Sequence, residues 1–226
     1  MSDGTAGPGT RRLAVLISGR GSNLQALIDA AADPSYPAEI VLVVSNVPGA
    51  GGLATAATSG IATATIDHKT FGKDRAAFER ALQDVLEKHR IDLVCLAGFM
   101  RLLTPWFVAQ WPNRMLNIHP ALLPAFKGLD THARALAAGV KLHGATVHFV
   151  VPEMDSGPVI AQGAVAVHDD DTEAALAARV LAVEHRIYPL ALRLVAAGRV
   201  TVAGNRCRVD GGTVPETGLL VPSEGT

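Results

Sequence analysis

Leu-Ala-Val-Leu-Ile-Ser-Gly-Arg-Gly-Ser-Asn-Leu-Gln-Ala, residues 13–26, decides the class of the fold. Leu13 to Ile17 is an unbroken apolar run, as in a strand covered on both faces. A glycine-rich turn follows, and then Leu24, Leu27, Ile28 and Ala31 recur at helical spacing. Ser22 or Asn23 is a natural N-cap for that helix. The free N–H groups and positive dipole end at such a helix start suit a phosphate. The turn has Gly-x-Gly without a third glycine and lacks Gly-Lys-Ser/Thr, so it is not a P-loop. A second apolar run, 40–44, ends in Ser45-Asn46 where a dinucleotide fold places an acidic residue. NAD is therefore not expected. From these residues alone, a tight turn without a ligand is equally admissible.

Strand and helix patterns alternate outward from this unit. A short Ala-rich helix is expected at 51–59, a brief strand at 62–66, a helix at 73–89 and a buried strand at 91–97. Thr104-Pro105 starts a short helix, with proline in its first turn. The expected architecture is α/β, a doubly wound and mostly parallel sheet with right-handed crossovers. After residue 120 the rhythm changes. A helix is expected at 131–138, then strands at 145–151 and 159–167 forming an antiparallel hairpin around the loop 152–158. The longest helix follows Asp169–Glu173, with Leu176, Val180, Val183, Ile187, Leu190 and Leu194 as its apolar face. Pro189 is expected to kink or divide it, and Glu184-His185-Arg186 reads as a solvated face. Residues 1–12 read as a disordered tail, 13–205 as one domain and 206–226 as a C-terminal extension.

The 226 residues are 49% hydrophobic with mean hydropathy +0.26, so core material is ample. A net charge of −1 offers no global basic field for nucleic acid or an anionic membrane. No apolar run approaches the roughly 18 residues of a membrane span, and the N-terminus has no signal-peptide core. The two cysteines, Cys95 and Cys207, stand far apart, and no metal-type spacing is present, so neither a disulfide framework nor a metal is expected. A cytoplasmic protein is expected, monomeric or homodimeric.

Arg-Met-Leu-Asn-Ile-His-Pro-Ala-Leu-Leu-Pro, residues 114–124, places His119 where proline stops a strand. Asn117 lies two residues earlier, on the same face of that strand. Ligands of open α/β sheets bind beyond the carboxyl ends of strands. Asp155 lies at the centre of the 152–158 loop. Taken singly, each of these residues also reads as an ordinary turn residue.

Jointly, six segments make the chain resemble the phosphoribosylglycinamide formyltransferases, folate-dependent enzymes of purine synthesis. They are residues 16–26, 96–103, 115–124, 143–150, 154–160 and 184–189. The resemblance implies formyl transfer from 10-formyltetrahydrofolate, as co-substrate, to the amine of glycinamide ribonucleotide in de novo purine (IMP) biosynthesis. It implies a phosphate loop at Gly21, Ser22 and Asn23 and a ribose contact at Glu184. It places Arg75, Met100, Arg101, Leu102 and Leu103 on the folate side, and makes Asn117, His119 and Asp155 the catalytic trio, Asn117 and Asp155 also lining the folate side. It implies neither metal nor nucleic acid nor membrane. Asp130 stands where bacterial relatives often carry His. Among enzymes sharing this core, a methionyl-tRNA formyltransferase would add a C-terminal RNA-binding domain, and a formyltetrahydrofolate deformylase an N-terminal regulatory domain; neither is expected here.

Overall fold

The computed structural model describes residues 9–212 and 220–221. The elements alternate as β1 (Arg11–Ile17), α1 (Ser22–Ala31), β2 (Ala38–Ser45), α2 (Gly51–Thr58), β3 (Ala62–Thr65), α3 (Arg75–Lys88), β4 (Leu93–Leu96), α4 (Pro105–Ala109) and β5 (Met115–His119). The chain then runs through α5 (Thr131–Ala137), β6 (Leu142–Phe149), β7 (Val159–Ala166), α6 (Glu173–Ala196), β8 (Val200–Ala203) and β9 (Arg206–Val209). One sheet of seven strands has the order β3-β2-β1-β4-β5-β6-β7. Strands β1 to β5 pair parallel, whereas β6 pairs antiparallel with both β5 and β7. The β6–β7 hairpin is thus as expected, and the reversal already begins at β5.

Alternating residues of the strands feed two cores. Leu13, Val15, Ile17, Cys95, Leu116 and Ile118 pack on the side of α1 and α6. Ala14, Leu16, Val94, Leu96 and Met115 pack on the side of α3 and α4, against Phe78, Leu82 and Phe107. Leu13 to Ile17 are completely buried, as an apolar strand covered on both faces must be. The chain leaves β1 toward β2 on one side and reaches β4 on the other. The crevice between β1 and β4 is therefore the sheet's topological switch point, the usual place for a ligand.

Several expectations are corrected. Neither Ser22 nor Asn23 caps α1: Gly21, in a left-handed conformation with φ 81°, holds that place without a side-chain hydrogen bond. A Cβ there would meet Gly52 Cα at 2.9 Å, so backbone proximity excludes a capping side chain. Pro189 does not divide α6, which runs unbroken for 24 residues. The Pro189 carbonyl accepts from Tyr36 Oη at 2.7 Å. Leu190 is exposed rather than part of the apolar face, whose buried positions include Tyr188, Ala191 and Leu192. Arg11 and Arg12 belong to β1, because Arg12 N–H donates to Asp92 at 2.8 Å and its guanidinium reaches His89 O at 3.0 Å. The expected tail otherwise falls on residues 1–8, outside the described ones. The division at 205/206 cuts the β8–β9 hairpin, whose strands pair from Val200↔Val209 to Ala203↔Arg206. The rest of that extension, at 213–219 and 222–226, lies outside the described residues.

The β6–β7 pair depends on a close approach at Gly144, where a Cβ would lie 2.0 Å from Gly163 O. Gly144→Ala must push the strands apart. It is expected to lower stability by about 1–3 kcal/mol, in the range of overpacking. A denaturant midpoint unchanged from the parent protein would show that the approach carries no such constraint.

Candidate active site

The first part of the site is the β1–α1 turn. The first intrahelical bond is Gln25 N–H to Gly21 O at 3.0 Å, which leaves the earlier N–H groups of α1 without intrahelical acceptors. Gly19 to Asn23, with Ala97 and Gly98 from the end of β4, line a cleft of about 150 Å³ at the switch point. Asn23 is buried, and its Nδ2 donates to Glu184 Oε2 at 2.7 Å. Asn23 Oδ1 has no hydrogen-bond partner among the described residues. Glu184 is therefore not on a solvated face, as its polar neighbours suggested; it points from α6 to the head of α1. Burial raises its pKa, while the Asn23 amide pulls the other way.

The second part lies at the end of β5. Met115, Asn117 and His119 share one face of the strand by alternation, and His119 is buried at its last position. Beyond Pro120 the chain needs new partners for its backbone. Thr146 Oγ on β6 supplies them, donating to Ala121 O at 2.7 Å and accepting from Leu123 N–H at 3.0 Å. The loop then brings the Phe126 carbonyl to within 3.0 Å of His119 Nε2.

Asp155 comes back to the same place from the other loop. Its Oδ2 accepts from Gly128 N–H at 2.8 Å and lies 3.4 Å from His119 Nδ1. Its Oδ1 lies 3.8 Å from His148 Nε2. Lys127 Nζ donates to Ser156 Oγ at 2.6 Å and pairs with Glu153 at 3.7 Å, joining the two loops a second and third time. The expected trio of Asn117, His119 and Asp155 is thus brought to one end of β5, and His148 stands among them.

His148 lies in the strand expected at 145–151, and the sequence does not mark it as a site residue. The antiparallel register places it opposite Asn117, which no local pattern announces. Its Nδ1 contacts the Phe149 carbonyl at 2.9 Å and must donate there. Its Nε2, in the neutral ring, accepts from Asn117 Nδ2 at 3.3 Å. Burial holds its pKa down, against the pull of the Phe149 carbonyl and Asp155. The orientation of the Asn117 amide is therefore set from behind, with one of its hydrogens spoken for and the other available.

The third part is the segment that leaves β4. Ser18 Oγ accepts from Met100 N–H at 2.8 Å and donates to Asn46 Oδ1 at 2.5 Å. The Arg75 guanidinium donates to the Leu102 carbonyl. The Arg101 guanidinium lies 5.0 Å over the Phe78 ring. Met100 and Leu102 are 67% and 63% exposed although both are large and apolar. Exposed apolar side chains on this segment, with one guanidinium on it and another from α3, suit a molecule with a flat apolar body and anionic ends. A cleft of about 540 Å³ is lined by Asp155 together with Lys127, Ser156 and the turn at Asn205-Arg206. No cluster of His, Cys, Asp and Glu with metal-binding geometry, and no helix long and apolar enough to cross a membrane, occurs among the described residues.

Residues 11–192 match the family model described as formyl transferase. The chain belongs to the formyl transferase family. It is 45% identical to the phosphoribosylglycinamide formyltransferase of Escherichia coli, over 91% of this chain and 97% of that protein. Its fold is similar to the crystal structure of glycinamide ribonucleotide transformylase 1 from Symbiobacterium toebii, with TM-score 0.86, 46% identity, and coverage of 88% of this chain and 94% of that one. It is also 52% identical to part of the trifunctional purine biosynthetic protein adenosine-3 of Bos taurus, over 88% of this chain. The chain spans 20% of the length of that relative.

Near His119 lie two further imidazoles, the half-buried His132 and the buried His143, edge-to-face at 5.3 Å. Neither nitrogen of His143 has a hydrogen-bond partner among the described residues. Burial, and then His132 and His119 nearby, push the His143 pKa down to about 4. In the unfolded chain the group returns to about 6.5. Between those values the unfolded chain binds a proton that the folded chain refuses, so stability falls as pH drops from about 6.5 to about 4. Replacing His143 by the non-titrating Asn should flatten the stability–pH curve within that window and leave its slope above pH 7 unchanged. Denaturant titrations at a series of pH values measure this; an equal slope in both proteins would assign the acid loss to other groups.

Proposed function

We propose that the protein transfers the formyl group of 10-formyltetrahydrofolate to the amine of glycinamide ribonucleotide. The alignment with the Escherichia coli enzyme over nearly the full length of both chains supports that pair of substrates. What supports the chemistry most is the return of Asp155 to His119 and His148 beside Asn117, at the strand ends that also carry the β1–α1 turn.

The ribonucleotide's phosphate sits on the open N–H groups at Gly21, Ser22 and Asn23, and Glu184 accepts from a ribose hydroxyl. The folate lies along Met100 to Leu103, where its ring system covers the exposed apolar side chains and Arg75 and Arg101 meet its carboxylates. The amine lone pair attacks the formyl carbon and opens the carbonyl to an oxyanion. The amide hydrogen of Asn117 that His148 leaves available donates to that oxygen, and the His119 ring in its protonated form, with Nε2 held by the Phe126 carbonyl and Nδ1 facing Asp155, places a positive charge beside it. Asp155, facing His119 Nδ1, orients the ring and balances its positive charge. Collapse of the intermediate breaks the bond from carbon to the folate nitrogen. The amine loses one proton and the departing nitrogen gains one, so no net proton, metal or redox partner is required. The His119–Asp155 pair and a water carry that proton.

His119→Ala and Asp155→Asn should each lower kcat by about a hundred- to a thousandfold, the size of effect seen when one group that stabilises an oxyanion is lost, directly in the first and through the His119 ring in the second, with circular dichroism unchanged. The decisive assay follows tetrahydrofolate release with and without glycinamide ribonucleotide. Release is expected only with the amine acceptor present. Equal release in its absence would mean that water is the acceptor and would overturn this function.

A further inference from the structure

Glu79 is a buried carboxylate that the chemistry above does not use. It lies in the second turn of α3 and is 1% exposed. A carboxylate so placed is costly unless its oxygens are hydrogen-bonded. Both oxygens end on one residue: Oε1 accepts Thr104 N–H at 2.7 Å, and Oε2 accepts the Thr104 hydroxyl. That hydroxyl in turn accepts from Phe107 N–H at 3.5 Å, as the N-cap of α4.

Thr104 ends the segment that leaves β4, and residues 97–104 contain no helix or strand. The end of β1 fixes this segment only as far as Met100, through Ala97 N–H to Leu16 O, Ser18 N–H to Gly98 O and Met100 N–H to Ser18 Oγ, and does not fix residues 101–104. Helix α3 does so instead, through positions that share one of its faces. Arg75 holds the Leu102 carbonyl, Phe78 lies under Arg101, and Glu79 takes both donors of Thr104. Of the two hydrogen-bonded ties, that of Arg75 is exposed, whereas that of Glu79 starts from a buried carboxylate, where a charge-assisted hydrogen bond is stronger.

We infer that Glu79 is a positioning residue for the folate co-substrate. It touches neither substrate nor reacting atoms. It clamps Thr104 so that Met100 to Leu103 present a preformed surface. The inference rests on the assignment of residues 100–103 to the folate side. Without the clamp, binding must order the segment, and the loss falls on folate affinity.

The test pairs kinetics with amide exchange. Glu79→Ala should raise KM for 10-formyltetrahydrofolate about tenfold or more, the effect of losing a hydrogen bond to a charged group. KM for glycinamide ribonucleotide and kcat at saturation should change less than about twofold. Glu79→Gln, which keeps one acceptor, should fall between parent and Ala. Thr104→Val, which keeps the N–H but removes the hydroxyl, should follow Gln. Exchange of the Thr104 amide hydrogen should accelerate in the order Gln, then Ala. Unchanged exchange at Thr104 in Glu79→Ala would overturn the clamp itself. Accelerated exchange with a raised KM for the ribonucleotide in place of the folate would overturn the folate assignment of residues 100–103. A fall in kcat that tracks thermal stability, with both KM values unchanged, would mark Glu79 as structural only and overturn the inference.

Discussion

The hydrogen bond from Gly128 N–H to Asp155 Oδ2 is the constraint on which the site depends. Two loops meet there, one leaving β5 and one joining β6 to β7, and no strand ladder joins them. Asp155 adopts φ 50°, a left-handed conformation that a non-glycine residue holds only when its surroundings demand it. The same carboxylate oxygen that accepts from Gly128 faces His119, so a single contact both ties the loops and sets the distance between Asp155 and His119. The Lys127–Ser156 bond reinforces it nearby. Without Asp155 beside it, His119 would keep the Phe126 carbonyl as its named partner.

Behind this contact the fold supplies rigidity in layers. Thr146, completely buried, satisfies the backbone of the turn after Pro120. His148 holds the Asn117 amide. The Tyr188 hydroxyl on α6 lies 3.0 Å from Leu96 O and 3.3 Å from Leu116 O, tying the long helix to the ends of β4 and β5. Asn117 is thus held by a buried imidazole, and His119 by the half-buried Asp155 and the Phe126 carbonyl. Preorganisation of this kind lets electrostatic stabilisation act without reorganisation during reaction.

The parts of the fold that read correctly in sequence are those governed by local pattern. Leu13–Ile17 had to be a buried strand, and Thr104-Pro105 had to open a helix, because the physical reasons lie within a few residues. Expectations failed where distant backbone intruded. Gly21 displaced Ser22 and Asn23 as the cap because Gly52 packs against it. Glu184 looked solvated because nothing within a turn of it reveals Asn23, far away in the chain and 2.7 Å away in space. Pro189 did not divide α6, whose flanking residues Ile187, Tyr188, Ala191 and Leu192 are all buried against the sheet.

By itself the sequence determined the alternation of strands and helices, the glycine-rich turn at a helix start, and the strand that stops at His119-Pro120. Those features follow from periodicity, proline and glycine, which act over short stretches of chain. The order of strands, the reversal at β5, the opposition of Asn117 and His148, and the meeting of Asp155 with His119 were decided only by the tertiary structure. Each is a contact between segments far apart in sequence, fixed by sheet register and by buried polar groups that must find partners wherever the fold places them.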